Sequence, residues 1–200
     1  MSDHAQCESH LSGRHLLVAL SGGIACYKVA SLVSSLVQIG AKVDVLMTDA
    51  ATRFISPLTF ESLTGREVYE CQWDQGDCKT PLHIQLADQA DALLIAPCTM
   101  NMLAKLAMGI TNDPVTLVAS AIDRSTTPVL LAPAMNVTMY SQPSTKRNIA
   151  TLEADGFTIL DSTEGWQACK SFGKGRLPEP ETLFEALEYC FAYKLLIDLV

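Results

Sequence analysis

The chain has 200 residues, 48% of them hydrophobic, which is enough for one sizeable core and favours a single domain. Its 14 Lys and Arg stand against 22 Asp and Glu, for a formal charge of -8, and no basic stripe is present that could track phosphates. Nucleic acid is therefore not an expected partner. The first fifteen residues are polar and charged and do not read as a secretory signal, so a cytoplasmic location is expected. Seven cysteines make an odd count without a CxxC pair, and Cys71 and Cys78 stand too far apart for a zinc knuckle. Free thiols in a reducing compartment and no bound metal are the expectation.

Residues 1–13 lack periodicity and predict a flexible N-terminal arm, leaving 14–200 as the folded domain. Residues 15–20 form an apolar run that ends at Ser21-Gly22-Gly23. After it, residues 25–39 carry helical spacing and stop at Gly40. Further strands are predicted over 42–47, 90–96, 128–132 and 157–160, with helical segments between them. Strands alternating with helices imply a parallel sheet covered on both faces, an α/β doubly wound fold of flavodoxin type with ligands at the carboxyl ends of its strands. Residues 164–179 hold Gly165, Gly173, Gly175 and Pro178 without a clear period and predict a mobile loop. Residues 190–200 form an apolar stretch interrupted by Lys194 and Asp198, too short for a bilayer, and read as the end of a packed helix.

Ser21-Gly22-Gly23-Ile24 sits where the first strand turns into the first helix, where backbone N–H groups and the helix dipole can receive a phosphate. A mononucleotide suits such a turn, although a glycine pair there also serves as a plain turn. Thr48-Asp49 follows the second strand and can place a hydroxyl at the same edge or simply cap a helix. Thr99, Met100 and Asn101 follow the third strand beside another helix start. Cys98 reads as a packed thiol, and Asp113-Pro114 as a helix cap with proline in the first turn. His83 is the one histidine beyond the first sixteen residues. An imidazole there can act as a base if it faces the pocket. Asn136 follows the fourth strand and can hold a carboxylate or end a turn, with Met135 and Met139 as core filler. Cys169 lies near Lys170, Lys174 and Arg176, cations that favour a thiolate or a bound phosphate.

Taken in order, His83 with Ala96-Pro97-x-Thr99-x-Asn101, then Pro133-x-Met135-Asn136-x-x-Met139, then Ala168-Cys169 with Gly173-x-Gly175-Arg176 resemble the homo-oligomeric flavin-containing cysteine decarboxylases, in their phosphopantothenoylcysteine decarboxylase branch. The resemblance covers roughly residues 14–188 and implies FMN-dependent decarboxylation of 4'-phosphopantothenoylcysteine to 4'-phosphopantetheine, a step of coenzyme A biosynthesis. It implies His83 and Cys169 as catalytic groups, and Asn136, Met139, Ala168 and Arg176 at the substrate. It places FMN against Gly22, Gly23, Ile24, Thr48, Thr99, Met100 and Asn101. A homotrimer or a dodecamer of trimers is the implied assembly, with no membrane partner. The chain departs from the family pattern at Lys170, where glycine is usual, at Leu177, where methionine is common, and at Met102, where a hydroxyl residue is common. Alternative readings are a peptidyl-cysteine decarboxylase, a dipicolinate synthase subunit, a non-enzymatic FMN-binding regulator and a flavodoxin electron carrier.

Overall fold

The computed structural model of the protein describes residues 9–73 and 80–197, side chains from 193 onward excepted. In chain order these form β1 (His15–Leu20), α1 (Cys26–Gln38), β2 (Lys42–Met47), α2 (Asp49–Thr52), α3 (Pro57–Thr64), α4 (Leu82–Gln89), β3 (Ala92–Cys98) and α5 (Met100–Ala107). Then come α6 (Pro114–Ala121), β4 (Val129–Pro133), α7 (Val137–Ser141), α8 (Pro143–Ala154), β5 (Thr158–Ile159), β6 (Thr163–Trp166), β7 (Phe172–Arg176) and α9 (Pro180–Ile197). The first five strands make one parallel sheet in the order β2-β1-β3-β4-β5, the flavodoxin-like arrangement expected from the sequence.

Period-two alternation assigns the strand side chains to two cores. Leu16, Val18, Leu20, Val45 and Leu94 face one way, against α1, α3 and α9. Leu17, Ala19, Leu46, Leu93 and Ile95 face the other way, against α4, α5, α6 and α8. β1 is buried along its whole length, which explains why it reads as a continuous apolar run rather than an alternating one. Each fully buried Leu, Val or Ile contributes about 1.5–3 kcal/mol relative to exposure. Among the described residues no helix is long and apolar enough to cross a membrane.

Two expectations need correction. Residues 9–13, assigned above to the flexible arm, are ordered: Leu11 is fully buried in the α1 core, and the Ser9 hydroxyl donates to Glu188 on α9. A single apolar side chain in a polar segment carries no periodicity, so the sequence hides this contact. Residues 1–8 lie outside the described residues. The predicted mobile loop over 164–179 is instead largely an antiparallel hairpin, with Gly165 opposite Gly173 and Trp166 opposite Phe172. Its glycines erase the apolar alternation by which a strand is recognised, and Gly175, with φ of 127°, takes a backbone conformation that side-chain-bearing residues rarely adopt. Strand ends also differ slightly. The third strand runs to Cys98, which pairs with Pro133, so Cys98 belongs to the sheet and not to the turn after it.

Candidate active site

β1 and β3 are neighbours whose connections leave in opposite directions, and such a switch point opens a crevice beyond the carboxyl ends of the strands. A cavity of about 820 Å³ lies there. The Ser21 hydroxyl donates to the Pro97 carbonyl at 2.7 Å and accepts from the Thr99 amide at 2.9 Å, tying the end of β1 to the end of β3. Gly22 is required sterically, because a Cβ on it would collide with Ala50 at the start of α2. Gly23 and Ile24 follow on the cavity wall, directly before the N-terminus of α1. Thr48 and Thr99 cap α2 and α5 by accepting from the amides of Ala51 and Met102, and both also line the cavity. Met100 and Asn101 complete this side. A glycine turn ahead of a helix N-terminus, hydroxyls at two further helix starts and a partly apolar wall form a donor set that fits a phosphate with a planar ring system.

The opposite wall is the hairpin laid over the loop between β4 and α7. The Met135 amide donates to the Gly175 carbonyl at 2.9 Å, and the close approach needs glycine, since a Cβ on Gly175 would strike the Met135 carbonyl. Asn136 uses its two amide ends differently. Its Oδ1 accepts from the Thr138 amide at 2.8 Å and caps α7, while its Nδ2 donates to the Cys169 sulfur at 2.9 Å and to the Ser171 hydroxyl at 3.4 Å. Ser171 Oγ is also 2.9 Å from Cys169 Sγ. The Ser171 hydroxyl first, and the Asn136 amide second, hold the Cys169 thiol below its ordinary pKa. Cys169 is exposed, so this thiol is both reachable and easily ionised. Cys98, by contrast, is fully buried and its pKa is pushed far up by desolvation, in keeping with a packed, inert thiol.

Charged side chains at the cavity are paired. Lys28 of α1 donates to Glu179 at 2.7 Å and to the Leu177 carbonyl at 3.3 Å, and Arg176 meets the same Glu179 oxygen at 3.0 Å. The Lys28 hydrogen bond is the main cause that lowers the Glu179 pKa. Lys105 and Asp113 form a second pair at 2.6 Å, where Asp113 also makes a capping box with Thr116 at the start of α6, Pro114 being the first helical residue.

The structure therefore brings together Gly22, Gly23, Ile24, Thr48, Thr99, Met100, Asn101, Asn136, Met139, Ala168, Cys169 and Arg176 around one cavity. His83 is the exception. It stands in the first turn of α4, does not line this cavity, and its Nδ1 is buried with no hydrogen-bond partner among the described residues. Met139, read either as core filler or, by the resemblance, as a residue at the substrate, is 43% exposed on the cavity wall. Sequence reasoning missed Lys28, Gln167 and Ser171, and read Ser21 only as part of the glycine turn, without its tie to Pro97 and Thr99. For Gln167 and Ser171 the signal was their spacing of two residues on either side of Cys169, which a hairpin turn folds onto the thiol.

Residues 4–190 match the family described as Flavoprotein. The chain belongs to the flavoprotein family. Among curated members it is 41% identical to the probable phosphopantothenoylcysteine decarboxylase of Streptococcus mutans, over 88% of this chain and 97% of that protein. It is 47% identical to the coenzyme A biosynthesis bifunctional protein CoaBC of Bacillus subtilis, over 91% of this chain but only 44% of that protein. The chain thus spans less than half the length of the bifunctional flavoproteins it matches. Among solved flavoprotein structures, a PPC decarboxylase mutant complexed with pantothenoylaminoethenethiol superposes with a TM-score of 0.80 at 28% identity, covering 90% of this chain and 98% of that one. The FMN binding protein AtHal3 superposes with a TM-score of 0.78, also at 28% identity and with the same coverages.

Proposed function

We propose that this flavoprotein is an FMN-dependent decarboxylase that converts 4'-phosphopantothenoylcysteine to 4'-phosphopantetheine in coenzyme A biosynthesis. The observation that carries the reading is the exposed Cys169 thiol held 2.9 Å from the Asn136 amide, on the far wall of a cavity whose near wall suits a flavin mononucleotide. Its likeness to decarboxylases of this substrate supports the same assignment.

Gly22, Gly23, Ile24, Thr48, Thr99, Met100 and Asn101 are the residues that would hold FMN, with the phosphate at the N-terminus of α1. When bound, FMN would supply reversible two-electron chemistry: oxidation of the cysteine-derived thiol, which would let the neighbouring carboxylate leave as carbon dioxide, and return of the same electron pair to the product. The protein supplies position and protons. Asn136 Nδ2 is a neutral donor that can hold the substrate carboxylate without protonating it, and so leaves the charge free to depart. Its orientation is fixed because Oδ1 is spent on capping α7. Cys169 gives the proton that completes the final reduction. A thiol whose pKa is lowered by Ser171 and Asn136 releases that proton readily and is held as a thiolate afterwards. Arg176 and Met139 shape the substrate end of the cavity.

His83 supplies the acid or base of the oxidation from a neighbouring copy of the chain. Its position outside its own cavity supports this, and it fits a homotrimer, or a dodecamer of trimers, in which α4 of one protomer meets the cavity of the next.

The test of the chemistry is the Cys169→Ser variant, given 4'-phosphopantothenoylcysteine without air and analysed by product mass. The proposal predicts carbon dioxide release with accumulation of the oxidised enethiol, lighter than 4'-phosphopantetheine by a pair of hydrogens. Normal 4'-phosphopantetheine formation by that variant would overturn the proton-donor assignment.

A further inference from the structure

We infer that Gln167 is the positioning residue of the site, whose single carboxamide docks the Cys169 turn onto the Asn136 loop. Gln167 is 7% exposed, a buried polar side chain in a hairpin whose neighbours Trp166 and Ala168 are both exposed. Every polar atom of that side chain is engaged with the two segments it joins. On the loop side, Oε1 accepts from the Val137 amide at 3.0 Å and Nε2 donates to the Met135 carbonyl at 3.4 Å, so the carboxamide grips the chain on both sides of Asn136. On the hairpin side, Oε1 accepts from the Ser171 hydroxyl at 3.1 Å and from the Cys169 thiol at 3.6 Å, and Nε2 donates to the Lys174 carbonyl at 3.2 Å. Its own backbone closes the turn, the Gln167 amide donating to Ser171 and its carbonyl accepting from Lys170.

The consequence is geometric. Cys169 and Asn136 are far apart in sequence, and Cys169 has no burial of its own to fix it. The side chain that spans both segments sets their separation, and Ser171, held by Gln167, is the group that then touches the sulfur. A buried carboxamide with all its valences used in this way is costly to remove, because each partner left behind is a desolvated donor or acceptor.

The role as a positioning residue for proton transfer rests on the decarboxylase reading, whereas the docking itself does not. The test is therefore made with two readouts on Gln167→Met, which keeps the length of the side chain and removes its hydrogen bonds. The first is the pH dependence of iodoacetamide alkylation at Cys169 in the full-length flavin-loaded protein, followed on the Cys169 peptide by mass spectrometry. Loss of the dock raises the alkylation midpoint towards that of an ordinary thiol, because the turn no longer places the sulfur within reach of the Asn136 amide donor. The second is turnover, where kcat falls by about tenfold or more while KM moves by less than about threefold, the signature of a misplaced reacting group. Gln167→Glu is the companion variant and guards against a Met variant that does not fold. It retains the acceptor towards Val137 and Ser171 but places a carboxylate beside the thiol, so the alkylation midpoint rises again. An unchanged midpoint in a folded variant, even with a lowered Tm, would show a merely structural role and overturn the inference. An inactive unaltered protein whose variants still show the shifted midpoint would remove the decarboxylase reading and leave the dock standing.

Discussion

The amide of Asn136 donates to the sulfur of Cys169 across 2.9 Å, although 33 positions separate the two residues. One stands after a core strand and the other on a surface hairpin, so the contact joins the rigid sheet to the covering ribbon. The chemistry assigned to this protein depends on that junction.

Replacing Asn136 by Asp separates its two duties. The carboxylate still accepts from the Thr138 amide, so α7 remains capped and the Tm stays within about 2 °C of the unaltered protein. The donor towards substrate is lost and a like charge faces the substrate carboxylate. A hydrogen bond to a charged group is worth about 1.5–3 kcal/mol, so kcat/KM falls by about 100-fold, measured by steady-state product formation. A variant with full activity would remove Asn136 from the carboxylate site.

His83 acting across a subunit boundary has a simple signature. His83→Ala and Cys169→Ala chains are each inactive alone, and dissociating and reassembling them together restores turnover, because some cavities receive an intact cysteine and a neighbour's intact histidine. Failure of the mixed assembly to recover activity would place His83 in a role within its own chain.

Lys170 occupies the left-handed region with φ of 61°, where a side chain costs about 1–2 kcal/mol and glycine costs nothing sterically. Lys170→Gly relieves this strain and, after the extra freedom glycine gives the unfolded chain, raises stability by about 1 kcal/mol, or roughly 2–4 °C in Tm. Lys170→Ala keeps the strain and leaves Tm near its starting value. Thermal unfolding of the pair checks the claim, and equal shifts would contradict it.

Asp44 sits away from the cavity, buried between His15 at 2.5 Å and Arg66. Burial alone would raise its pKa, but the hydrogen bonds from His15 and then Arg66 outweigh it and the net shift is downward. With the folded value below the ordinary 3.8, the stabilisation is complete above that pH and is lost as pH falls through the folded value. Asp44→Asn leaves Arg66 and His15 without their anion and, with Arg66 partly exposed, costs about 1–2 kcal/mol at neutral pH, measured by denaturant unfolding. The difference from the unaltered protein shrinks below pH 3.8, with turnover little affected. A difference that persists undiminished into that range would contradict the ionised pairing.

The sheet was legible because β1, β2, β3 and β4 are buried runs bounded by turn residues, and the Gly22 and Thr99 edge could be read from where those runs stop. The ordered motifs around Asn136 and Cys169 carried the chemistry. What could not be read was how the covering ribbon folds. Gly165, Gly173 and Gly175 carry no side chains to show a strand period, and a polar Gln167 gives no sign in sequence that it is buried. His83 was readable as a titratable group but not as one turned away from its own cavity, since that is a property of packing between α4 and its neighbours.

The most direct measurement is anaerobic incubation of the purified, flavin-loaded protein with 4'-phosphopantothenoylcysteine, following carbon dioxide release and product mass together. The account predicts catalytic turnover to 4'-phosphopantetheine with carbon dioxide released in equal amount. Bound FMN without turnover of this substrate, together with decarboxylation of a peptide ending in cysteine, would contradict it and assign the Asn136–Cys169 site to a different cysteine carboxylate.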